Sequence, residues 1–349
     1  MCFTTGNSYS WEKVLVPDSV DKKTKSPWNF FESFEKRKEG RLRINKNKFT
    51  INDKGKGLKP FIIHKETDGN KYLAVTVKHG WNHDPYMKKG RETERAEFQT
   101  CKKALDKEMW ISFKKRLPQD FTHIDDRLMF FQFKNQIKKG GKSPLLGIRY
   151  YKNGNQLKIG GDTGGNASKN FRQKGSAMSS SEVREEKYIH RIGAKYKNKG
   201  GDWFVRWEKD REDDKNKDRD DLRFTTNNAS VTPLGEWSTY KIGIYNTRGK
   251  DGFVKVYKDN ELMFDYKGIT YDWSGPYDET CIRVGAYRDS GKQFGIEYSD
   301  QTIHFDDFIV VSDENTLDQL IRKNENPRGQ KISSLDKISV LNYLNKNYF

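Results

Sequence analysis

The sequence predicts an all-β fold of two packed antiparallel sheets, a sandwich or jelly roll, with short helices at its ends. Three observations point there. Segment after segment alternates apolar and polar residues with period two, as strands with one buried face do. Asn153-Gly154 and Asp259-Asn260 mark tight hairpins between such segments. The regular strand–helix alternation that an α/β fold requires is missing.

In chain order, residues 1–45 read as a lead-in, with a short helix expected around Trp28 to Lys38. Residues 46–312 form the predicted β domain. Its strands are Lys71 to Lys78, Trp110 to Phe113, Leu128 to Phe133, and a hairpin from Leu145 to Ile159. Lys187 to Tyr196, Trp203 to Glu208 and Thr239 to Tyr245 follow. Phe253 to Tyr257 and Glu261 to Asp265 make a second hairpin; Cys281 to Tyr287 and Thr302 to Val311 close the set. The Gly- and Ser-rich stretch Gly160 to Ser181 reads as a long loop, and the mixed charges of Lys209 to Arg223 as a solvated excursion. Residues 313–349 are a helical tail: Leu317, Leu320 and Ile321 share one helical face, and Leu335, Ile338, Leu341 and Leu344 another.

A chain of 349 residues is long enough to bury a sizeable core. Its 66 basic and 49 acidic residues leave +17, which favours a polyanionic partner: nucleic acid, an anionic membrane surface or an acidic polysaccharide. Part of that excess reflects a general richness in Lys. No helix-turn-helix or zinc-finger pattern occurs, so nucleic acid is not the expected partner. No apolar run approaches the roughly 18 residues of a bilayer span, and the first residues lack the basic-then-apolar order of a secretory signal. The compartment stays open, and a monomer is expected. Cys2, Cys101 and Cys281 show no Cys-x-x-Cys spacing, so neither a disulfide framework nor a cysteine zinc site is expected and the thiols read as buried or idle.

Three segments carry the chemistry. In Arg95-Ala96-Glu97-Phe98-Gln99, in Phe131-Gln132-Phe133-Lys134-Asn135 and in Arg283-Val284-Gly285-Ala286-Tyr287, polar side chains occupy every second position. On a strand, residues i, i+2 and i+4 share a face. Arg95, Glu97 and Gln99 line one face, as do Gln132 and Lys134, and Arg283 and Tyr287 flank Gly285. Arginine, glutamine, lysine and tyrosine on an open sheet face suit an acidic sugar chain. A glycoside hydrolase needs two carboxylates at fixed separation, and no alternating acidic strand offers them.

The order and spacing of several segments resemble a group of polysaccharide lyases that includes heparin lyase I, glucuronan lyase and alginate-lyase-like jelly rolls. The residues are Gly235 to Tyr245, Asp251 to Leu262, Tyr266 to Thr270, Gly275-Pro276-Tyr277 and Arg283 to Arg288, with Arg95-Ala96-Glu97-Phe98, Trp110 to Phe113 and Leu117-Pro118 upstream. The resemblance implies a concanavalin-like β-jelly roll whose concave sheet holds an anionic, uronic-acid-containing polysaccharide. It implies cleavage by β-elimination and no required cofactor; a structural Ca²⁺, as some relatives carry, has suitable oxygens at Asp306 and Asp307.

Such a reaction removes the weakly acidic proton at C5 of the uronate, so cationic and amide donors must stabilise the charge that develops. An acid then protonates the departing glycosidic oxygen. The resemblance casts Arg95 and Gln132 as carboxylate neutralisers, Glu97 as the partner that orients Arg95, and Tyr287 as the acid or as both acid and base. Arg283 binds carboxylate bidentately, and Gln99 and Lys134 complete the binding face. Lys134 departs from the group, which places His there. The substitute bases are His79, at a strand end before the Arg95 strand, and then His190; Lys134 or Tyr287 is the further choice. The alternative to a lyase is a non-catalytic carbohydrate-binding jelly roll.

Overall fold

The computed structural model describes residues 30–35, 37–41, 60–80, 93–136, 144–151, 154, 156–162, 231–247, 251–267, 270, 279–289, 291 and 295–325, with short strands at 12–13, 195–197, 203–205 and 223–225. The strands are β1 (Glu12–Lys13), β2 (Phe30–Glu32), β3 (Gly40–Arg41), β4 (Phe61–Lys65), β5 (Lys71–Val77), β6 (Thr93–Lys102), β7 (Lys107–Arg116), β8 (Leu128–Gln136) and β9 (Leu146–Tyr151). They continue as β10 (Gln156–Asp162), β11 (Lys195–Lys197), β12 (Trp203–Val205), β13 (Arg223–Thr225), β14 (Trp237–Asn246), β15 (Phe253–Lys258), β16 (Glu261–Lys267), β17 (Glu279–Asp289) and β18 (Gln301–Val311). One helix, α1 (Glu314–Glu325), follows.

Two antiparallel sheets result, as the alternation predicts. The larger runs β12-β11-β16-β15-β14-β7-β18-β5-β4-β3, with β2 also on β18; the smaller runs β13-β10-β9-β8-β17-β6. Hairpin pairs alternate with pairs far apart in sequence, β7 between β14 and β18, and β17 between β6 and β8, as in a jelly roll. Inward positions of both sheets are apolar and buried: Met109, Ile111 and Phe113 of β7, Ile242 and Ile244 of β14, Phe131 and Phe133 of β8, and Ile282, Val284 and Ala286 of β17. Phe113 stacks on Phe131 at 5.5 Å and on Tyr240 at 5.3 Å, tying one sheet to the other. Each buried Phe of this kind contributes about 1.5–3 kcal/mol.

Strand β18 shows how a continuous apolar run is used. A register shift between Asp306 and Ile309, with Asp307 at φ 48, reverses its alternation. Ile303 and Phe305 face the core before the bulge, Phe308 and Val310 after it. Ile309 and Val311 are thereby turned outward. With Trp110 they receive Leu317, Leu320 and Ile321 of α1, as the helical spacing predicts. The helix is capped by Asp313, whose Oδ1 accepts the Thr316 backbone N–H at 2.8 Å.

The two hairpins differ. Asp259 and Asn260 have φ 51 and 65, the paired positive values of a type I′ turn. Between Tyr151 and Gln156, which face each other, four residues intervene, so the Asn153-Gly154 connection is longer than the expected two-residue turn. Two other expectations are corrected. Residues 30–32 are strand, not helix, because Phe30, Phe31 and Glu32 pair with the open edge of β18 at Val310, Ile309 and Phe308. Buried Phe34 then takes φ 62, a conformation that no helix continues through. The cysteines are not all idle: Cys101 and Cys281, 180 residues apart, form a disulfide. The register of β6 and β17 sets them directly opposite each other. The helical pattern from Leu335 to Leu344, Cys2, and most of the Lys187 to Tyr196 segment lie outside the described residues.

The core also holds one lysine. Lys115 points inward from β7 and donates to the Tyr150 hydroxyl, with the Phe130 ring 5.0 Å away. Burial, aided by the charge of Lys258, holds its ammonium down to about 7. Below about 7 the lysine is charged folded or unfolded and its burial cost is complete; above 10.5 it is neutral in both states and the cost is gone. Stability is therefore expected to rise with pH across that window. K115M is expected to flatten the slope, read by urea denaturation at a series of pH values. Separately, C101S/C281S is expected to lose about 2–4 kcal/mol of stability, and reductant to lower the wild-type Tm but not that of the double variant.

Candidate active site

The three alternating segments are β6, β8 and β17, and they are adjacent. β17 lies between β6 and β8, antiparallel to both. Arg283 stands opposite Gln99 on one side and Gln132 on the other. Gly285 stands opposite Glu97, and Tyr287 opposite Arg95. Lys134 faces Cys281, which faces Cys101. Every side chain predicted for the site on these three strands thus lies on one face of the smaller sheet, the face turned away from the sandwich core.

That face is built rather than merely solvated. Glu97 is 2 % exposed and Gln132 2 %, Arg283 7 % and Tyr287 8 %. Gln132 Nε2 donates to Glu97 Oε1 at 2.5 Å, and Arg95 Nε lies 3.4 Å from Glu97 Oε2. One buried carboxylate therefore orients both Arg95 and Gln132, where the sequence suggested only Arg95. The Arg95 guanidinium also lies over the Tyr287 ring, 4.1 Å from its centroid. Arg95, Glu97, Gln132 and Tyr287 form one contiguous polar set.

Glycine is required at position 285. Its φ is +148, and a Cβ there would come within 2.2 Å of the Ala96 carbonyl oxygen and 2.7 Å of Glu97 Cα. Only Gly lets β17 close against β6 between Arg283 and Tyr287. Beside it, β17 and β8 slip register between Val284 and Tyr287. The bulge re-aims Tyr287 and seats it opposite Met129.

His79, expected as the substitute base, lies between two carboxylates: its Nδ1 is 3.4 Å from Glu94 Oε1, and its Nε2 3.7 Å from Glu297 Oε1. Glu94 neighbours Arg95 in β6 and so points to the opposite face. His190 lies outside the described residues. Asp306 accepts from Asn70 Nδ2 at 3.1 Å, and Asp307 pairs with Lys114 at 2.8 Å. Among the described residues no group of three or more His, Cys, Asp or Glu is arranged to hold a metal ion.

Two sets of residues escaped the sequence reading. The first backs the site from the core side. Arg288, fully buried beside Tyr287, donates from Nε to Glu94 Oε2 at 2.6 Å and from Nη1 to Ser299 O at 2.6 Å and Gln301 Oε1 at 3.0 Å. Glu94 Oε1 also accepts the Gly80 backbone N–H at 2.8 Å. Burial lowers the affinity of Arg288 for its proton, and the Glu94 carboxylate restores much of it. The signal was available: Glu94 and Arg288 sit at inward positions where apolar residues are expected. The second set is Arg127, which touches Tyr287, and Asp289, which pairs with Arg127. Arg127 precedes β8 in an irregular segment, so no periodicity exposes it.

With this geometry in view, comparison with known proteins gives the class. A family profile described as "Polysaccharide lyase" matches residues 60–308, and the chain belongs to that family. It is therefore an enzyme, a lyase acting on polysaccharide. Solved structures that resemble it include an endo-β-1,4-glucuronan lyase from the fungus Trichoderma reesei, at 15% identity and TM-score 0.45, covering 81% of this chain and 94% of that one. Another is a marine family 7 alginate lyase from Zobellia galactanivorans, at 12% identity and TM-score 0.37, covering 74% and 85%. No curated protein sequence matches the chain.

Removing one member of the buried pair leaves the other charged and unpartnered. E94A is expected to cost about 3–5 kcal/mol of stability by urea denaturation. E94A with R288M is expected to recover most of that loss; no recovery would show that the two do not act as a pair.

Proposed function

We propose that the enzyme cleaves an anionic, uronate-containing polysaccharide by β-elimination at the face shared by β6, β8 and β17. One observation carries the reading: Arg95 and Gln132 are joined through a single buried carboxylate, Glu97, and Arg95 covers the ring of Tyr287. A guanidinium and an amide beside a phenol are the groups that this elimination needs. Arg283, between Gln99 and Gln132, adds a second cation for the sugar carboxylate.

In the proposed reaction the uronate carboxylate sits against Arg95 and Gln132, which stabilise the negative charge as the C5–H bond breaks. The phenol oxygen of Tyr287, deprotonated at the start, takes that proton. The electron pair forms the C4–C5 double bond, and the C4–O4 bond breaks. The proton on Tyr287 then passes to O4 of the leaving sugar, which restores the phenolate. Lys134 stands where the related lyases have His, and His79 lies between the carboxylates of Glu94 and Glu297, so one phenol serving as base and then acid is the proposed scheme. A single group can do both only when H5 and O4 lie on the same side of the ring. β-1,4-linked D-glucuronate and D-mannuronate meet that condition; L-guluronate and L-iduronate do not.

The test is a panel of glucuronan, mannuronate-rich and guluronate-rich alginate, and heparin, followed by the ultraviolet absorbance of the unsaturated product. Glucuronan or mannuronate-rich alginate is expected to be cleaved fastest. Preference for guluronate blocks would rule out the single-phenol scheme, and silence across the panel would rule out elimination at a uronate. Y287F is expected to lower kcat by about 10²–10⁴-fold, the usual range for a lost acid–base group, while leaving oligosaccharide affinity within about threefold.

A further inference from the structure

Arg127 belongs to none of the three alternating segments, yet it is in direct contact with Tyr287. Its guanidinium centre lies 4.7 Å from the ring centroid, and its Nη2 donates to the phenol oxygen at 3.3 Å. The same Nη2 also donates to Asp289 Oδ1. Asp289 is two residues beyond Tyr287 in β17 and so on the same face. Arg95 covers the ring at 4.1 Å. The phenol is thus contacted by two planar cations, and Arg127 donates a hydrogen bond to its oxygen. Burial pushes the Asp289 carboxyl up, against the pull of Arg127.

We infer that Arg127, held by Asp289, is a positioning residue for Tyr287 that fixes the ring and aims its proton. This rests on the assignment of Tyr287 as the proton-transfer group. The reasoning starts from donor inventory. Guanidinium has donors and no acceptor. When Arg127 fills one lone pair of a protonated Tyr287, the O–H must point away from it. When the phenol has lost its proton, the same contact joins two opposite charges and strengthens further. The contact is therefore strongest to the deprotonated oxygen, the form with which the proposed reaction begins. It bears on the proton-transfer group rather than on the sugar, so its loss is felt in turnover rather than in binding. Asp289 balances the charge of Arg127, so the sugar carboxylate is left to Arg95 and Arg283. The effect of losing Arg127 is then confined to kcat.

The experiment compares R127M, R127K and D289N in the full chain, on the fastest glycan of the panel and by NMR of protein labelled with ¹³C at the tyrosine Cζ. The Tyr287 signal is identified by its absence in Y287F. R127M is expected to lower kcat by about 10- to 100-fold with KM within about twofold, as loss of one hydrogen bond to a charged group predicts. R127K, which keeps a donor but not the planar stack, is expected to fall between R127M and wild type, and D289N to show a smaller loss of the same kind. Without substrate, R127M is expected to move the Tyr287 signal and leave those of the core residues Tyr150 and Tyr240 in place. An unmoved Tyr287 signal overturns the inference, whatever the activity. So does a loss of kcat that R127K does not relieve and that accompanies displacement of the Tyr150 and Tyr240 signals, since that is loss of fold. A moved Tyr287 signal in a wild-type protein that cleaves no glycan supports the contact and overturns only the elimination chemistry.

Discussion

The pairing of β17 with β6 on one side and β8 on the other is the constraint from which the site follows. Each strand alone presents a few alternating polar residues. In register, they place Arg283 between Gln99 and Gln132 and Tyr287 beside Arg95. A slip of one residue in β17 would send Arg283 and Tyr287 into the core and bring Ile282, Val284 and Ala286 out. Burial of those three holds the register from below. Gly285 holds it from the side, since any side chain there would meet the backbone of β6. The disulfide between Cys101 and Cys281 fastens the same two strands one cross-strand row beyond Arg283.

Both faces of this strand trio carry buried charge, and the two sets differ in kind. On the core side, Arg288 and Glu94 satisfy each other with help from Gln301, Ser299 and Gly80. That arrangement tolerates no ligand and serves register. On the outer side, Glu97 spends its carboxylate on orienting Arg95 and Gln132, and two guanidiniums flank one phenol. Concentrating cations around one phenol suits the proton transfer proposed for Tyr287 and gains nothing for packing. Family membership and geometry therefore agree on a lyase, while the sugar it cuts rests on the stereochemical argument from Tyr287.

Much of this was legible in the chain. Period-two alternation marked β5, β7, β8, β14, β15, β16, β17 and β18, because one buried face imposes that period. The same alternation, with Arg, Gln and Tyr at the outward positions, marked the site strands. What stayed hidden has physical reasons. The bulge in β18 reverses its alternation, and an apolar run does not say where a bulge falls. The strand at Phe30 to Glu32 exists because an edge of β18 awaits it, a fact about another part of the chain. Arg127 lies in an irregular segment, where no periodicity reports which way a side chain points.

The local pattern determined which residues of β6, β8 and β17 share a face, since that follows from strand geometry and needs no partner. Which strands stand side by side was decided only by tertiary structure, because pairing depends on register between residues far apart in the chain. So the sequence named Arg95, Glu97, Gln132 and Tyr287 as candidates. The fold joined them, set His79 between Glu94 and Glu297, linked two cysteines that looked idle, and laid Arg127 against the phenol.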